Sequence, residues 1–203
     1  MKKFLLLFFS SINLLVFGQT YPELFPAQDR NGHGIGYFLE DGTNIIKGQF
    51  SSATGLIEGY YIVSKAEHEL TEDGRDTGNN IPDTEKFALL NEKGEFIIGF
   101  ENNYKSINLE YGIITVEKNG LYGIVNDKNE ILFPFEYEEL NVKNKETIIA
   151  KKDKNVGIIN GNFKIIVPFE YDEIYDYTQI ATTDNFYVIV KKNNTKGVLE
   201  RNN

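Results

Sequence analysis

Residues 121–126, LYGIVN, lead into residues 130–140, EILFPFEYEEL, and the same pattern returns 34 residues later without a gap. The second copy reads NVGIIN at 155–160 and KIIVPFEYDEI at 164–174. A fixed period of this length is typical of repeat proteins, in which each unit packs only against its neighbours. The sequence therefore predicts a tandem array with units of about 34 residues.

The units also end alike. Each closes with an apolar strand followed by lysine, and a glycine comes seven residues after a fixed apolar position. These pairs are Val116 and Gly123, Ala150 and Gly157, and Val190 and Gly197. Two more divergent copies lie upstream, at 34–46 and 87–98, so that about four and a half units occupy residues 31–203.

One unit reads as an antiparallel meander. The pattern predicts a strand over residues 111–118, a return strand over 121–126 and a third strand over 131–133. Pro134 is expected to end the third strand, because proline cannot donate to a ladder. Asn119-Gly120 has the residues of a type I′ turn, in which both positions take positive φ.

Adjacent apolar residues place an apolar side chain on each face of one strand, as at Ile124-Val125 and Ile158-Ile159. Strands of this kind are covered on both sides. No amphipathic helical pattern competes with the strand signals. We therefore expect an all-β fold in which antiparallel β-hairpin or meander repeats stack as a propeller-like or solenoid array.

Three segments stand apart from the repeats. Lys2, Lys3 and the apolar run 4–17 predict a signal peptide over residues 1–18, because the run is too short to span a bilayer. Export would then take the mature chain to the periplasm or outside the cell. Residues 19–30 are predicted to be an extended segment, and the polar run at 67–85 an exposed loop inserted in the repeat domain.

The composition argues against some classes of partner. Lys and Arg number 21 against 30 Asp and Glu, and loss of Lys2 and Lys3 would make the net charge of −9 more negative. Such a surface repels phosphate backbones, so no nucleic acid partner is expected. The chain has no cysteine, so its stability must come from packing rather than disulfides.

The sequence contains no recognisable catalytic or metal-binding motif. His33 and His68 have no cysteine beside them and read as surface residues. Asp73, Asp76 and Asn79 offer oxygens to calcium but lack the full loop pattern with a distal glutamate. We therefore expect no cofactor and no metal site.

Carboxylates recur within the repeat. Four of them are candidate binding-surface residues: Glu136, Glu139, Glu170 and Glu173. A glycoside hydrolase needs only one suitably spaced carboxylate pair, but residues that recur with the repeat fit a solvated acidic edge better. Four tyrosines would suit sugar stacking if exposed: Tyr137, Tyr171, Tyr175 and Tyr177. The first two hold equivalent places in two repeats, which favours core packing.

The pattern resembles the WG repeat, a bacterial β-hairpin repeat with an aromatic-Gly-apolar-apolar element, an apolar-apolar-Pro element and a Tyr-Asp-x-Ile element. Residues 122–125, 131–134, 137–140 and 171–174 carry the match, and the resemblance covers roughly residues 31–201. The namesake tryptophan is replaced at every copy, by Ile35, Phe87, Tyr122, Val156 and Lys196. The resemblance implies an interaction module without catalytic residues.

Equivalent places in the copies mark the structural positions of the repeat: Gly36, Gly123, Gly157, Gly197, Pro134, Pro168, Tyr137 and Tyr171. The glycines are expected where stacked hairpins approach closely. For function, we expect a secreted, non-enzymatic module that binds a protein or peptide or acts as a scaffold. Binding of carbohydrate or cell-envelope glycan is the first alternative, and a carboxylate-based glycoside hydrolase the second.

Overall fold

The computed structural model describes residues 21–30, 34–179 and 185–202, which form strands, turns and a short 3-10 helix at Phe100–Asn102. The predicted signal peptide and His33 lie outside these residues. The all-β prediction is confirmed. The strands are β1 Phe25–Gln28, β2 Ile35–Phe38, β3 Asn44–Phe50, β4 Ser52–Ala53, β5 Tyr60–Lys65, β6 His68–Leu70, β7 Asp76–Asn80, β8 Lys86–Asn91, β9 Phe96–Ile98, β10 Ser106–Glu110, β11 Ile113–Lys118, β12 Leu121–Val125, β13 Ile131–Tyr137, β14 Glu139–Asn144, β15 Thr147–Lys152, β16 Asn155–Ile159, β17 Ile165–Tyr171, β18 Glu173–Gln179, β19 Asn185–Lys192 and β20 Thr195–Asn202.

All the strands except β6 and β7, which pair with each other, form five antiparallel meanders in chain order. Sheet I contains β1–β3, sheet II contains β4, β5, β8 and β9, sheet III contains β10–β13, sheet IV contains β14–β17, and sheet V contains β18–β20. Strand β1 lies within the segment 19–30 that the sequence set apart, and it pairs with β2. Meanders that stack one after another are the units of propeller-like arrays.

Apolar clusters lie between consecutive sheets. Their fully buried members include Tyr37 and Leu90 between sheets I and II, Leu89 and Val116 between II and III, Ile124 and Ile148 between III and IV, and Ile158 and Val188 between IV and V. Within sheet III, Val125 faces sheet II while its neighbour Ile124 faces sheet IV. Adjacent apolar residues therefore serve two different interfaces, as the sequence predicted.

Pro134 and Pro168 lie inside strands. The prediction that the third strand ends at Pro134 was wrong, because β13 continues to Tyr137. Since β13 and β17 are the last strands of their sheets, a missing N–H interrupts no further ladder. The register also changes there: Ile124 pairs with Phe133, but the next pair joins Tyr122 to Tyr137, so β13 bulges.

The repeat glycines face these bulges. A Cβ at Gly157 would lie 2.7 Å from the carbonyl oxygen of Val167 and 2.9 Å from the Phe169 ring. The backbone of residues 46–48 crowds Gly36 in the same way. The close approach is therefore between strands of one sheet, whereas the sequence suggested stacked hairpins. A Cβ at Gly197 would meet open space, because sheet V as described ends at β20.

Many of the turns between strands contain residues with positive φ, in the left-handed region. Asn119 and Gly120 have φ of 55° and 79°, which confirms the type I′ prediction. Tyr111 and Gly112, which were predicted to begin a strand, form another such turn with φ of 55° and 76°, so that β11 begins at Ile113. An aromatic residue in the left-handed region gave no signal for a turn in the sequence.

The insertion at 67–85, predicted to be an exposed loop, contains a hairpin, β6–β7. Every residue of β7 is exposed. The insertion is tied to sheet II at its end, where the buried Ser64 hydroxyl donates to Glu85 Oε1 at 2.6 Å. At its base, His68 Nδ1 lies 2.8 Å from Asp76.

Replacing Lys154 by glycine should stabilise the fold. Asp153 and Lys154 form the turn that corresponds to Asn119-Gly120, and Lys154 has φ of 67°. Holding a residue with a Cβ in the left-handed region costs about 1–2 kcal/mol. Glycine avoids this strain, but its greater conformational freedom in the unfolded chain lowers the stability by about 0.5–1 kcal/mol. We expect a gain of about 0.5–1 kcal/mol in urea melts. Lys143→Gly, at an exposed position inside β14, should destabilise, and a loss in both variants would contradict the turn assignment.

Candidate functional site

The acidic residues proposed from the sequence lie where one sheet meets the next. Glu136 is near the end of β13 and Glu139 begins β14, while Glu170 and Glu173 hold the same places between sheets IV and V. Each is exposed, and each has a lysine partner. The N–O distances are 2.9 Å for Lys152 and Glu136, 3.3 Å for Lys151 and Glu139, 3.0 Å for Lys192 and Glu170, and 2.8 Å for Lys191 and Glu173.

Two adjacent lysines end the second strand of sheets IV and V, and the second lysine of each doublet also covers an aromatic ring. Lys152 Nζ lies 5.7 Å from the ring centroid of Tyr137, and Lys192 Nζ lies 5.7 Å from that of Tyr171. Two earlier interfaces have the same contact at 5.8 Å, Lys65 over Phe50 and Lys118 over Tyr104. We call this contact the lysine–aromatic joint. In each joint the aromatic residue is the final residue of the last strand of one sheet or comes shortly after that strand. The lysine is the final residue of the second strand of the following sheet.

The sequence alone did not predict this joint, because the strand-ending lysines and the repeated tyrosines are separate features of the pattern. A signal was available, because an aromatic residue precedes the lysine by a similar interval at Phe50 and Lys65 and at Tyr137 and Lys152. Contacts of this kind contribute about 0.5–1 kcal/mol at exposed sites. The four joints therefore help to stabilise the packing of consecutive sheets.

A second repeated feature is a row of exposed apolar side chains. Phe96, Ile131 and Ile165 are 48%, 61% and 52% exposed and begin the last strands of sheets II, III and IV. They are equivalent, because each pairs with the buried residue that faces the preceding sheet: Leu90, Val125 and Ile159. We call these three residues the outer apolar row.

The family model described as "WG containing repeat" matches residues 35–67, 122–155 and 157–195, more than half of the chain. The chain belongs to the WG repeat family. A search of curated proteins found no match. A comparison with solved structures matched a chain described as "Crystal structure of the eukaryotic initiation factor", with 11% identity and a TM-score of 0.35. The similarity covers 89% of this chain but about half, 53%, of that one.

Each matched WG repeat extends over two sheets. The repeat at 122–155 contains β12 and β13 of sheet III, then β14 and β15 of sheet IV. Tyr137 and Lys152 therefore belong to one repeat, and the repeat at 157–195 likewise contains Tyr171 and Lys192. A WG repeat thus carries both halves of a joint between sheets.

Lysine partners favour the ionised form of three of these carboxylates. The hydrogen bond from Lys152 lowers the pKa of Glu136, and the hydrogen bonds from Lys192 and Lys191 lower the pKa of Glu170 and Glu173. The general acid of a glycosidase needs the opposite shift, because it must hold a proton near neutral pH. The arrangement of these carboxylates suits structural ion pairs.

The other residues that the sequence singled out are also engaged or buried. Tyr137 and Tyr171 are buried, Tyr175 is exposed with Lys196 Nζ 4.3 Å from its ring centroid, and the side chain of Tyr177 lies outside the described part. In the insertion, Asp73 pairs with Arg75 and Asp76 with His68. Within the described ranges, no group of three or more His, Asp or Glu side chains is arranged to hold a metal.

A double-mutant cycle on Lys152→Met and Glu136→Gln should give a coupling energy of about 0.5–1 kcal/mol that falls as salt is added, because both side chains are partly exposed. The same cycle on Asp73→Asn and Arg75→Met provides the control. That pair is as close, at 2.6 Å, but lies in the insertion and joins no sheets. Equal coupling in the two cycles would contradict a special role for the joint.

The protein should lose stability in alkali. Burial raises the pKa of Tyr37, Tyr104 and Tyr137 above the usual value near 10. The folded state therefore holds these protons more tightly than the unfolded state, so the stability is complete below about pH 10 and falls as pH rises above it. Urea melts across this range should show the loss, with tyrosine absorbance near 295 nm rising as the chain unfolds. Unchanged stability well above pH 10 would contradict the assignment.

Proposed function

We propose that this chain is an exported, non-enzymatic module that binds an extended peptide or protein segment along the outer apolar row. One observation carries the proposal: Phe96, Ile131 and Ile165 are about half exposed or more at the same place on three consecutive sheets. Exposed apolar side chains that recur at one position of a repeat favour an interaction surface, because water-exposed apolar area is unfavourable without a partner.

The backbone around the row supports an extended ligand. Strands β9, β13 and β17 end their sheets, so each has one edge without a neighbouring strand within the described residues. An extended peptide binds such edges through main-chain hydrogen bonds, and apolar pockets select its side chains. Pro134 and Pro168 remove a donor in the middle of β13 and β17, which confines pairing to the segments that contain Ile131 and Ile165.

The competing functions have less support. A hydrolase would need a carboxyl group that stays protonated, whereas lysine partners lower the pKa of Glu136, Glu170 and Glu173. A sugar-stacking platform would need several exposed rings, whereas Tyr137 and Tyr171 are buried and only Tyr175 is exposed among the candidate tyrosines whose side chains are described. These features favour a binding module over an enzyme.

Export is the second part of the proposal. Its support is the sequence of residues 1–18, with two lysines followed by a short apolar run. None of the helical segments in the described ranges is long and apolar enough to cross a membrane. Intact-mass measurement of the protein recovered outside the cytoplasm should give a chain that starts at Gln19, and an unprocessed chain in the membrane fraction would contradict this.

Selection from a displayed library of random linear peptides, with the mature chain as bait, tests the binding mode. We expect enriched peptides with spaced apolar residues. Their affinity, measured by fluorescence anisotropy, should fall at least about tenfold for the double variant Ile131→Ser and Ile165→Ser, which corresponds to about 1.4 kcal/mol.

Val198→Ser is the matched control, because Val198 is a similarly exposed apolar residue on another sheet. It should leave peptide affinity unchanged. Equal losses in the control and the double variant would contradict the row as the site. A glycan array with strong hits, together with no enriched peptide, would favour carbohydrate binding instead.

A further inference from the structure

One position of the repeat is buried in four sheets and exposed in the fifth. Tyr37, Leu89, Ile124 and Ile158 each lie one residue after the repeat glycine, or its alanine counterpart, and each is at most 1% exposed. Each packs in the interface with the next sheet. Val198 holds the same place after Gly197 in sheet V, and it is 65% exposed.

The cross-strand partner of Val198 is also exposed, although its equivalents in other sheets face the next sheet. Ile189 pairs with Val198 across β19 and β20, so the two side chains share one face. The equivalent pairs, Thr115 with Ile124 and Ile149 with Ile158, face the next sheet. Ile189 is nevertheless 38% exposed. Sheet V thus ends the described array with a face built for another sheet, which we call the V end face.

The opposite end of the array has the complementary surface. Phe38 holds the place of Leu90, Val125 and Ile159, which are buried against the preceding sheet. Phe25 pairs with Phe38 on the same face of sheet I and is 44% exposed. An open cavity of about 900 Å³ lies there, lined by Phe25, Ala27, Phe38 and Asn44 among others. We call this surface the I end face.

We propose that the V end face of one copy packs on the I end face of a second copy, which continues the array from chain to chain. Within the chain, every interface joins the forward side of one sheet to the backward side of the next. The V end face presents the forward side and the I end face the backward side, so a head-to-tail contact repeats the packing found four times inside each molecule. A contact of this type joins different surfaces and can propagate.

The absence of cysteine allows a direct test of the occupant. Phe25→Cys and Val198→Cys are prepared as separate variants, both at exposed positions where folding should be preserved. After oxidation of an equimolar mixture, we expect a disulfide-linked dimer that contains one copy of each variant, shown by intact mass. Each variant oxidised alone should form no disulfide-linked dimer.

The remaining outcomes would overturn the proposal. A dimer from Val198→Cys alone indicates contact between two V end faces. A third sample is a single chain that carries both substitutions. If its only disulfide is intramolecular, the array closes on itself. No cross-link in the mixture indicates that neither surface accepts a second copy.

Analytical ultracentrifugation of the unmodified protein gives an independent measurement. The weight-average mass should rise with concentration, and Val198→Glu should return it to the monomer value. Ile165→Glu is the matched control, since Ile165 is a comparably exposed apolar residue of the outer apolar row. It should leave self-association unchanged. Val198→Glu should in turn retain peptide binding, so failure of this proposal is distinguishable from failure of the proposed function.

Discussion

Replacing Gly157 by valine should lower the free energy of unfolding by about 3 kcal/mol, because the new side chain has no space. Its Cβ would lie 2.7 Å from the carbonyl oxygen of Val167 and 2.9 Å from the ring of Phe169. Backbone cannot move aside as a flexible side chain does, so the bulge of β17 must shift away from β16. Urea melts of the mature chain measure the loss.

Gly197 is the matched control for this variant. It holds the same place in the repeat, but a Cβ there would meet nothing within 4 Å. Gly197→Val should therefore change stability by less than about 0.5 kcal/mol. Gly74 and Gly78 in the insertion are poorer controls, because both have positive φ, at which valine is strained. Equal losses at Gly157 and Gly197 would show that the bulge does not set the requirement for glycine.

Tyr137→Ala should cost about 4 kcal/mol, the larger of the two effects on the core. The ring is 2% exposed, lies 4.7 Å from the Phe133 ring and 5.5 Å from the Phe169 ring, and sits under Lys152. Truncation would leave a cavity between sheets III and IV and remove one lysine–aromatic joint. Since repeat arrays are stabilised through nearest-neighbour interfaces, the loss should reach both sheets, which hydrogen exchange would reveal.

Two controls test whether the loss of stability comes from the buried ring, rather than from the hydroxyl or from removal of any tyrosine. Tyr137→Phe should cost less than about 1 kcal/mol, because the hydroxyl makes one partly buried contact, with Glu136 at 3.2 Å. Tyr175→Ala removes an exposed ring at the start of sheet V and should cost less than about 1 kcal/mol. Similar losses for Tyr137→Ala and Tyr175→Ala would contradict the core position of Tyr137.

Much of the fold was predictable because it rests on local rules. The hairpin at Asn119-Gly120 follows from residues that tolerate positive φ, and the turn is where the sequence indicated. The two-sided covering of β12 follows from Ile124 and Val125, since neighbouring strand residues point to opposite faces. Turns at Tyr111-Gly112 and Asp153-Lys154 were not predictable to the same degree, because distant carboxylates accept hydrogen bonds from their backbone. Glu58 accepts from the N–H groups of Tyr111 and Gly112, and Glu138 accepts from that of Lys154.

The candidate site was less predictable than the fold. The sequence identified Glu136, Glu139, Glu170 and Glu173 as surface candidates, but could not show that each pairs with a lysine from another strand. It also could not identify the outer apolar row. Ile131 and Ile165 look like core residues in a strand pattern, and their exposure depends on β13 and β17 being the last strands of their sheets.

The sequence by itself determined the all-β class, the period of the repeat and the apolar character of both strand faces, because these depend on residue type and spacing along the chain. Only the tertiary structure decided where one sheet ends and the next begins. A WG repeat supplies strands to two successive sheets, so its residues meet across an interface that no periodicity along the chain marks. Gly157 differs from Gly197 because a fourth strand of its own sheet crowds it, and Ile158 differs from Val198 because the next sheet packs on it. Each pair is equivalent in sequence, but only one member has a neighbour in space.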